Sequence, residues 1–303
     1  MRCFKGGIDM VTEQKRTVRI CTAILLVLVL LTLLPIALLV VSSFMDEKEI
    51  LNNGYSLFPE KWSVDAYLYM IKQGATIFRA YGISIFVTLV GTVLSTTITT
   101  MIAYPMSRKN FRWRNALSFF VFFTMLFNGG VVSSYILWTR YLHVKDTIFA
   151  LILPNYLVSA FNVILVRNFY TNNIPDSLLE AAQLDGANDF QVFFKIVLPL
   201  AVPVISTISL FTALTYWNDW INGLYYINDA SFFGIQNFLL RIMNNIQALK
   251  STAANSSMMI NVELPSFSVR MALAVIGMLP VLVLFPFVQK HLIRGVVVGA
   301  VKG

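Results

Sequence analysis

Between Ile174 and Pro199 the chain reads IPDSLLEAAQLDGANDFQVFFKIVLP, a polar, well-capped stretch set between two long apolar runs. Its chemistry is recognition. Pro175 suits a first helical turn, Asp176 places negative charge at the positive end of that helix, and the Leu and Ala residues up to Leu184 supply helix formers with one apolar face. Gly186 is expected to end this helix, and Asn188 or Asp189 to cap a second one that runs through Val192, Phe193, Lys195 and Ile196 to Pro199. A short helix, a glycine turn and a second helix make an amphipathic knob suited to a groove on a partner protein. The second stretch with chemical potential is Tyr216-Trp217-Asn218-Asp219-Trp220. Aromatic faces beside amide and carboxylate groups are what a sugar needs, whereas an aromatic belt at the membrane boundary is the plainer reading.

Catalytic patterns are missing. No stretch matches GxxxxGK[ST], and Gly129-Gly130 has no lysine at the needed spacing downstream. The histidines are His143 and His291, without metal-ligand spacing to Cys3 or Cys21, and no serine, histidine and acid constellation presents itself. The sequence predicts a non-catalytic chain with no metal site and no cofactor of its own.

The elements that position these stretches are membrane spans. Of 303 residues, 57% are hydrophobic and 13% charged, well outside the composition of soluble domains. The net charge of +8 is scattered through loops beside apolar runs, a pattern that the positive-inside rule explains and nucleic-acid binding does not. A basic tail over residues 1–19 precedes a first span over 20–44, which is read as retained because it is longer than a signal peptide's apolar region and lacks a small-residue cleavage site. Residues 45–80 carry balanced charge and are assigned outside, with WSVDAYLYMIK as a short surface helix. The second span, about Tyr81 to Met106, is small and hydroxylated, which favours tight helix packing over a polar pathway. Arg108, Lys109, Arg112 and Arg114 then mark an inner loop.

A third span, about Ala116 to Trp138, is expected to bend or break at Asn128-Gly129-Gly130. The fourth, about Thr147 to Arg167, contains Pro154-Asn155 and Asn162, polar features that lipid tolerates only where they are buried in protein or line a cavity. The fifth follows Pro199. Residues 221–269 are read as a long outer loop holding the amphipathic stretch FGIQNFLLRIMNNIQALK, with Asn244, Asn245, Ser251 and Asn255 as candidate contacts for an external partner, although an interfacial helix on lipid explains residues 232–250 equally well. The sixth span, about Arg270 to Gln289, leads to a basic tail over 291–303. Lys and Arg are more abundant on the inner side, so the sequence predicts an all-α membrane protein of six transmembrane helices with both termini cytosolic.

Glu180-Ala181-Ala182, Asp185-Gly186-Ala187, and then Ile196, Leu198 and Pro199 resemble, in order and spacing, the EAA loop of the permease subunits of binding-protein-dependent ABC importers. The resemblance extends over about residues 75–303: AYPMSRKNFRWR is similar to the family's second-span exit, ALILPNYLVSAFNVILVRNFY to its fourth span, and the terminal GAVKG to its carbohydrate branch, the maltose-type permeases in particular. It implies a type I importer permease core over 81–290, with a coupling loop over 168–199 whose residues 175–190 seat in an ATPase subunit. Glu180, Ala181, Ala182, Asp185, Gly186 and Ala187 are the implied coupling residues. Glu180 would pair with a basic group, the two alanines would allow close approach, and Gly186 would permit the turn. The implied partners are a homologous second permease, two ATPase subunits that bind ATP and Mg, an extracellular substrate-binding protein and the lipid of a bacterial plasma membrane. The cargo the resemblance implies is a sugar, an oligosaccharide in the branch it points to, with Asn155, Asn162, Tyr216, Trp217, Asn218 and Asp219 as candidate pathway residues. An importer for an amino acid, peptide or phosphate shares the same loop and is the alternative, followed by a membrane scaffold. Ion-coupled transport is disfavoured because the six runs carry essentially no charge away from their ends.

Overall fold

Long apolar runs, small residues that let helices approach and hydrogen-bonding groups that must be satisfied within the chain together favour helices. The computed structural model is helical wherever regular structure occurs among the residues it describes, 3–72, 74–255 and 267–300. Packing divides the chain into two units, residues 1–73 with 246–276 and residues 74–245 with 277–303.

In the first unit, α1 (Cys3–Ser42) takes in both the expected tail and the first span as one helix. Its segment Val18–Ser42 has a mean hydropathy of 3.3 and buries none of its most apolar window, so its apolar surface is available to lipid. After α1 the chain folds back on itself. Met45 pairs with Trp62 in an antiparallel bridge, Ser63 N–H donates to the Phe44 carbonyl at 2.7 Å, and Phe44 stacks on Tyr67. Asp46 caps α2 (Glu47–Asn53), its carboxylate accepting from the N–H groups of Lys48 and Glu49, and α3 (Asp65–Lys72) follows. Two glutamates of α2 hold distant backbone. Glu49, only 9% exposed, accepts from the N–H groups of Glu60 and Lys61, each at 2.8 Å, while Glu47 accepts from the first residues of the last helix at 3.0 Å.

The second unit is organised on α4 (Gly74–Ser107), longer than the second span expected from the sequence. Around it lie α5 (Arg114–Leu126) and α6 (Gly130–Ile136), a short α7 (Phe149–Ile152), α8 (Ala160–Asn173), α9 (Asp176–Leu184), α10 (Asp189–Val192), α11 (Leu198–Leu200) and α12 (Val202–Trp217). Packing is densest between α4 and α12 and between α4 and α8. The small-residue face of α4 makes the first contact possible: a Cβ on Gly91 would lie 2.6 Å from the Tyr216 ring. The unit continues with α13 (Ile221–Tyr226) and the first part of α14 (Ile235–Asn255), whose residues from 246 belong to the first unit, and α15 (Phe267–Ala300), the last helix, returns to the second unit from residue 277.

Four spans depart from the simple outline. The third is bent by 114° at Asn128-Gly129, where Gly130 takes φ +80°. The fourth is interrupted over 153–159, because Pro154 cannot extend the ladder and Asn155 takes φ +66°, so α8 starts only at the Ser159 cap. The fifth does not begin at Pro199: the helix runs through that residue and turns by 79° at Ala201, leaving Pro199 in the first turn of α11. The sixth starts a little earlier than expected, at Phe267, and stays helical to Ala300, well past Gln289. Among the described residues, two helices qualify as spans by length and composition, Val18–Ser42 and Gly74–Ser107, and two bent pairs qualify if each counts as one.

The segment assigned to an outer loop, 221–269, also differs from expectation in its first part. Tyr226, Ile227, Ile235 and Asn237 are buried, and the Ile235 N–H donates to the Ser84 hydroxyl of α4 at 2.8 Å. Apolar side chains at helical spacing in α13 and α14 draw this stretch into the core. Residues 256–266 of the same segment lie outside the described residues.

Candidate functional site

The knob forms as its residue types dictate. Helix α9 ends in a Schellman arrangement: the Ala187 N–H reaches the Ala182 carbonyl and the Gly186 N–H the Gln183 carbonyl, each at 3.0 Å, with Gly186 at φ +84°. Ala182 and Ala187 flank that turn and both pack against the core. Helix α10 opens with a reciprocal capping box, in which the Gln191 N–H donates to the Asn188 side chain at 2.9 Å and the Asn188 N–H to the Gln191 side chain at 3.1 Å. The Gln183 amide donates to Asp189 at 3.2 Å and joins the two short helices.

Glu180, Ala181, Asp185 and Gly186 are exposed on this knob, and Ala182 and Ala187 are half-buried. Two large apolar residues share the exposed surface, Leu184 at 89% and Phe190 at 71%; the sequence reading placed the first on an apolar face and passed over the second. Exposed apolar side chains grouped in this way on a short capped loop are of the kind that partner proteins cover. At its base, Lys109 of the α4–α5 loop bonds Asp176 at 2.7 Å. The hydrogen bond from Lys109 holds the Asp176 carboxyl below its usual range.

The knob is anchored in the same core as the spans. Leu179, Val192, Phe193 and Val197 are buried in one cluster with Val163 and Val166 of α8 and Val204 and Ile208 of α12. Between the knob and α4 lies a cavity of about 390 Å³ lined by Tyr104, Arg108, Phe111, Phe190 and Phe193 among others.

A second region gathers around the interrupted fourth span. Asn155 donates its amide to Asn222 at 2.8 Å, and Asn222, fully buried, donates to the Pro154 carbonyl at 3.1 Å. The Asn162 amide reaches Thr212 on α12 at 3.4 Å. Two cavities open here, of about 400 and 550 Å³, and both are lined by Asn155 and Tyr156. Asn162, Ser159 and Thr212 line the first, while Asn128, Ser134, Tyr225 and Tyr226 line the second. Their polar groups are amides and hydroxyls.

Tyr216 and Trp217, candidates for the pathway, do not line these two cavities. Tyr216 is buried on α12 with its hydroxyl donating to the Ile152 carbonyl at 2.8 Å, and Trp217 donates its indole N–H to the Gly277 carbonyl at 3.2 Å. Helical phase turns both rings inward, where a buried polar ring atom must find a partner. The Asn218 amide donates to the Leu214 carbonyl, and Asp219 accepts from the N–H groups of Ile221 and Asn222 to start α13. Asn155 and Asn162 therefore line cavities, and the 216–219 stretch builds the wall behind them. Asn244 and Asn245 are exposed on α14, whereas the side chains of Ser251 and Asn255 lie outside the described residues. Among the described residues, no group of three or more His, Cys, Asp and Glu is placed to hold a metal ion.

Residues 95–298, which include most of the second unit with its knob and part of the first unit, match the family described as the binding-protein-dependent transport system inner membrane component. The chain belongs to this family. The permease is 39% identical over 282 residues to the polygalacturonan/rhamnogalacturonan transport system permease protein YtcP of Bacillus subtilis, covering 92% of this chain and 96% of that one. It is 29% identical over 289 residues to the arabinooligosaccharides transport system permease protein AraQ of the same organism, covering 93% and 95%. Its fold matches a chain in the crystal structure of a bacterial ABC transporter involved in the import of the acidic polysaccharide alginate, with a TM-score of 0.74, 29% identity, and 91% and 96% of the two chains covered. The permease thus has the all-α importer fold, and its family consists of transport components.

Proposed function

We propose that this permease carries an oligosaccharide, handed over by an extracellular binding protein, across a bacterial plasma membrane. It would work beside a homologous second permease and two ATPase subunits that bind ATP and Mg, with its termini and coupling knob in the cytosol. One observation carries the reading. The knob's buried face, Leu179, Val192, Phe193 and Val197, is continuous with the core of α8 and α12, so the knob is not a loosely tethered loop. A push on the exposed Glu180–Phe190 surface is delivered to the spans as a rigid-body movement. The cavities at the other end of those helices present amides, hydroxyls and tyrosine rings, groups that pair with sugar hydroxyls and stack on sugar faces. The sugar relatives support the same cargo class.

The test is a co-purification of the permease with its neighbouring permease and candidate ATPase, followed by ATP hydrolysis in proteoliposomes with a panel of oligosaccharides, amino acids, peptides and phosphate on their binding proteins. Recruitment of an ATPase through the knob and stimulation by an oligosaccharide are expected. Recruitment with stimulation only by another solute replaces the cargo and keeps the importer. No recruitment at all, with Glu180→Lys indistinguishable from the wild type, overturns the reading.

A further inference from the structure

Helix α2 directs one carboxylate across 220 residues of sequence: both oxygens of Glu47 accept from the Phe267 N–H at 3.0 Å. One of them also accepts from the Ser268 N–H and the Ser268 hydroxyl, each at 3.0 Å. Phe267 and Ser268 open α15, whose first N–H groups have no helical partner, and a carboxylate there meets both those donors and the positive end of the helix dipole. The second carboxylate of the same short helix, Glu49, ties down Glu60 and Lys61, and Ser43 at the end of α1 bonds the Tyr67 hydroxyl at 2.8 Å. Around them Ser42, Met45, Ile50, Ser268, Val269 and Leu273 are buried. Two buried or half-buried acids bonded to backbone from two distant stretches, 60–61 and 267–268, are costly to assemble, and removing one carboxylate leaves its N–H donors without a charge-assisted bond.

We infer that Glu47 is a positioning residue for transport: its carboxylate fastens the start of the sixth span to the end of the first, and the clamp stays closed through the transport cycle. The two span ends then move as one piece, so that closure of the outer mouth is not dissipated by an independently swinging helix end. This rests on the importer reading and orientation given above.

Glu47→Ala in the full complex is expected to lower uptake by about tenfold, the consequence of losing one charge-assisted set of bonds. Uptake per ATP hydrolysed should fall with it, while the amount of assembled complex is unchanged. Glu47→Gln, which keeps a carbonyl acceptor for the two N–H groups, should lie between. The decisive variant is Glu47→Cys with Ser268→Cys, in a background where Cys3 and Cys21 are serine. A short bifunctional thiol reagent that bridges the two positions is expected to restore the uptake that the unbridged pair has lost. Arrest of transport on bridging would show that the clamp must open, and wild-type uptake by Glu47→Ala would show that it is idle; either result overturns the inference. Wild-type complex without sugar uptake would instead refute the cargo reading.

Discussion

Gly186 offers the sharpest test of how the knob works, because its backbone and its surroundings make separate predictions. Its φ is +84°, yet a Cβ built there meets nothing within 4 Å. Substitution therefore costs backbone strain and not a clash within this chain. An L-residue in the left-handed region costs about 1–2 kcal/mol, asparagine less, and a β-branched residue more. Relieving that strain would release the Schellman bonds to the Ala182 and Gln183 carbonyls and fray the end of α9, next to Asp185 and the exposed Leu184. If the ordered knob is the state that engages the ATPase, a cost of about 1.4 kcal/mol removes nine-tenths of the competent population. Coupled uptake should then fall in the order glycine, asparagine, alanine, valine, with alanine down about tenfold. The assay is sugar uptake together with stimulated ATP hydrolysis in proteoliposomes, normalised to assembled complex. Equal defects for asparagine, alanine and valine would point to a steric limit set by the partner, and wild-type behaviour of valine would mean that the turn is not needed. Both outcomes refute the backbone argument.

Other changes probe the packing and the cavities. Gly91→Ala puts a Cβ 2.6 Å from the Tyr216 ring and should destabilise the α4–α12 contact by about 1–3 kcal/mol, read as a lower melting temperature of the purified complex. Asn222→Ala leaves the Pro154 carbonyl and the Asn155 amide without their partner and should cost about 1–3 kcal/mol, whereas Thr215→Ala on the rim of the smaller cavity should leave stability alone and alter uptake only. Asp176→Asn removes an exposed pair worth at most about 1 kcal/mol, so the melting temperature at neutral pH should barely move. The folded carboxyl is depressed by Lys109, so the pair contributes above the ordinary carboxylate range and is lost only as pH falls through the lower folded value; a stability contribution that vanished between pH 6 and 8 would contradict the assignment.

Local signals were the legible ones. Pro175, Asp176, Gly186 and Asn188 each act within a turn or two of their own position, and the knob they specify is the one observed. The bend at Gly129-Gly130 and the close packing of α4 likewise follow from backbone freedom and the lack of side-chain volume. Features set by distant partners were hidden. Whether Tyr216 and Trp217 turn inward depends on helical phase and on carbonyls at Ile152 and Gly277, which no window around 216–220 contains. The burial of Tyr226, Ile227, Ile235 and Asn237 has the same origin, since part of a stretch read as an outer loop becomes core once Ser84 and Trp220 supply its hydrogen bonds. Leu184 reads as an ordinary apolar-face residue, and only the fold shows it, with Phe190, on the outside.

The reach of the Glu47 clamp also dictates when the molecule can be finished. A contact that joins positions 220 residues apart cannot form until the ribosome has released nearly the whole chain, and closing so long a loop is entropically late as well as slow. Until then the start of α15 does not yet exist. The two ends of the permease therefore come together only at the close of synthesis, and a chain cut short before Phe267 lacks this clamp.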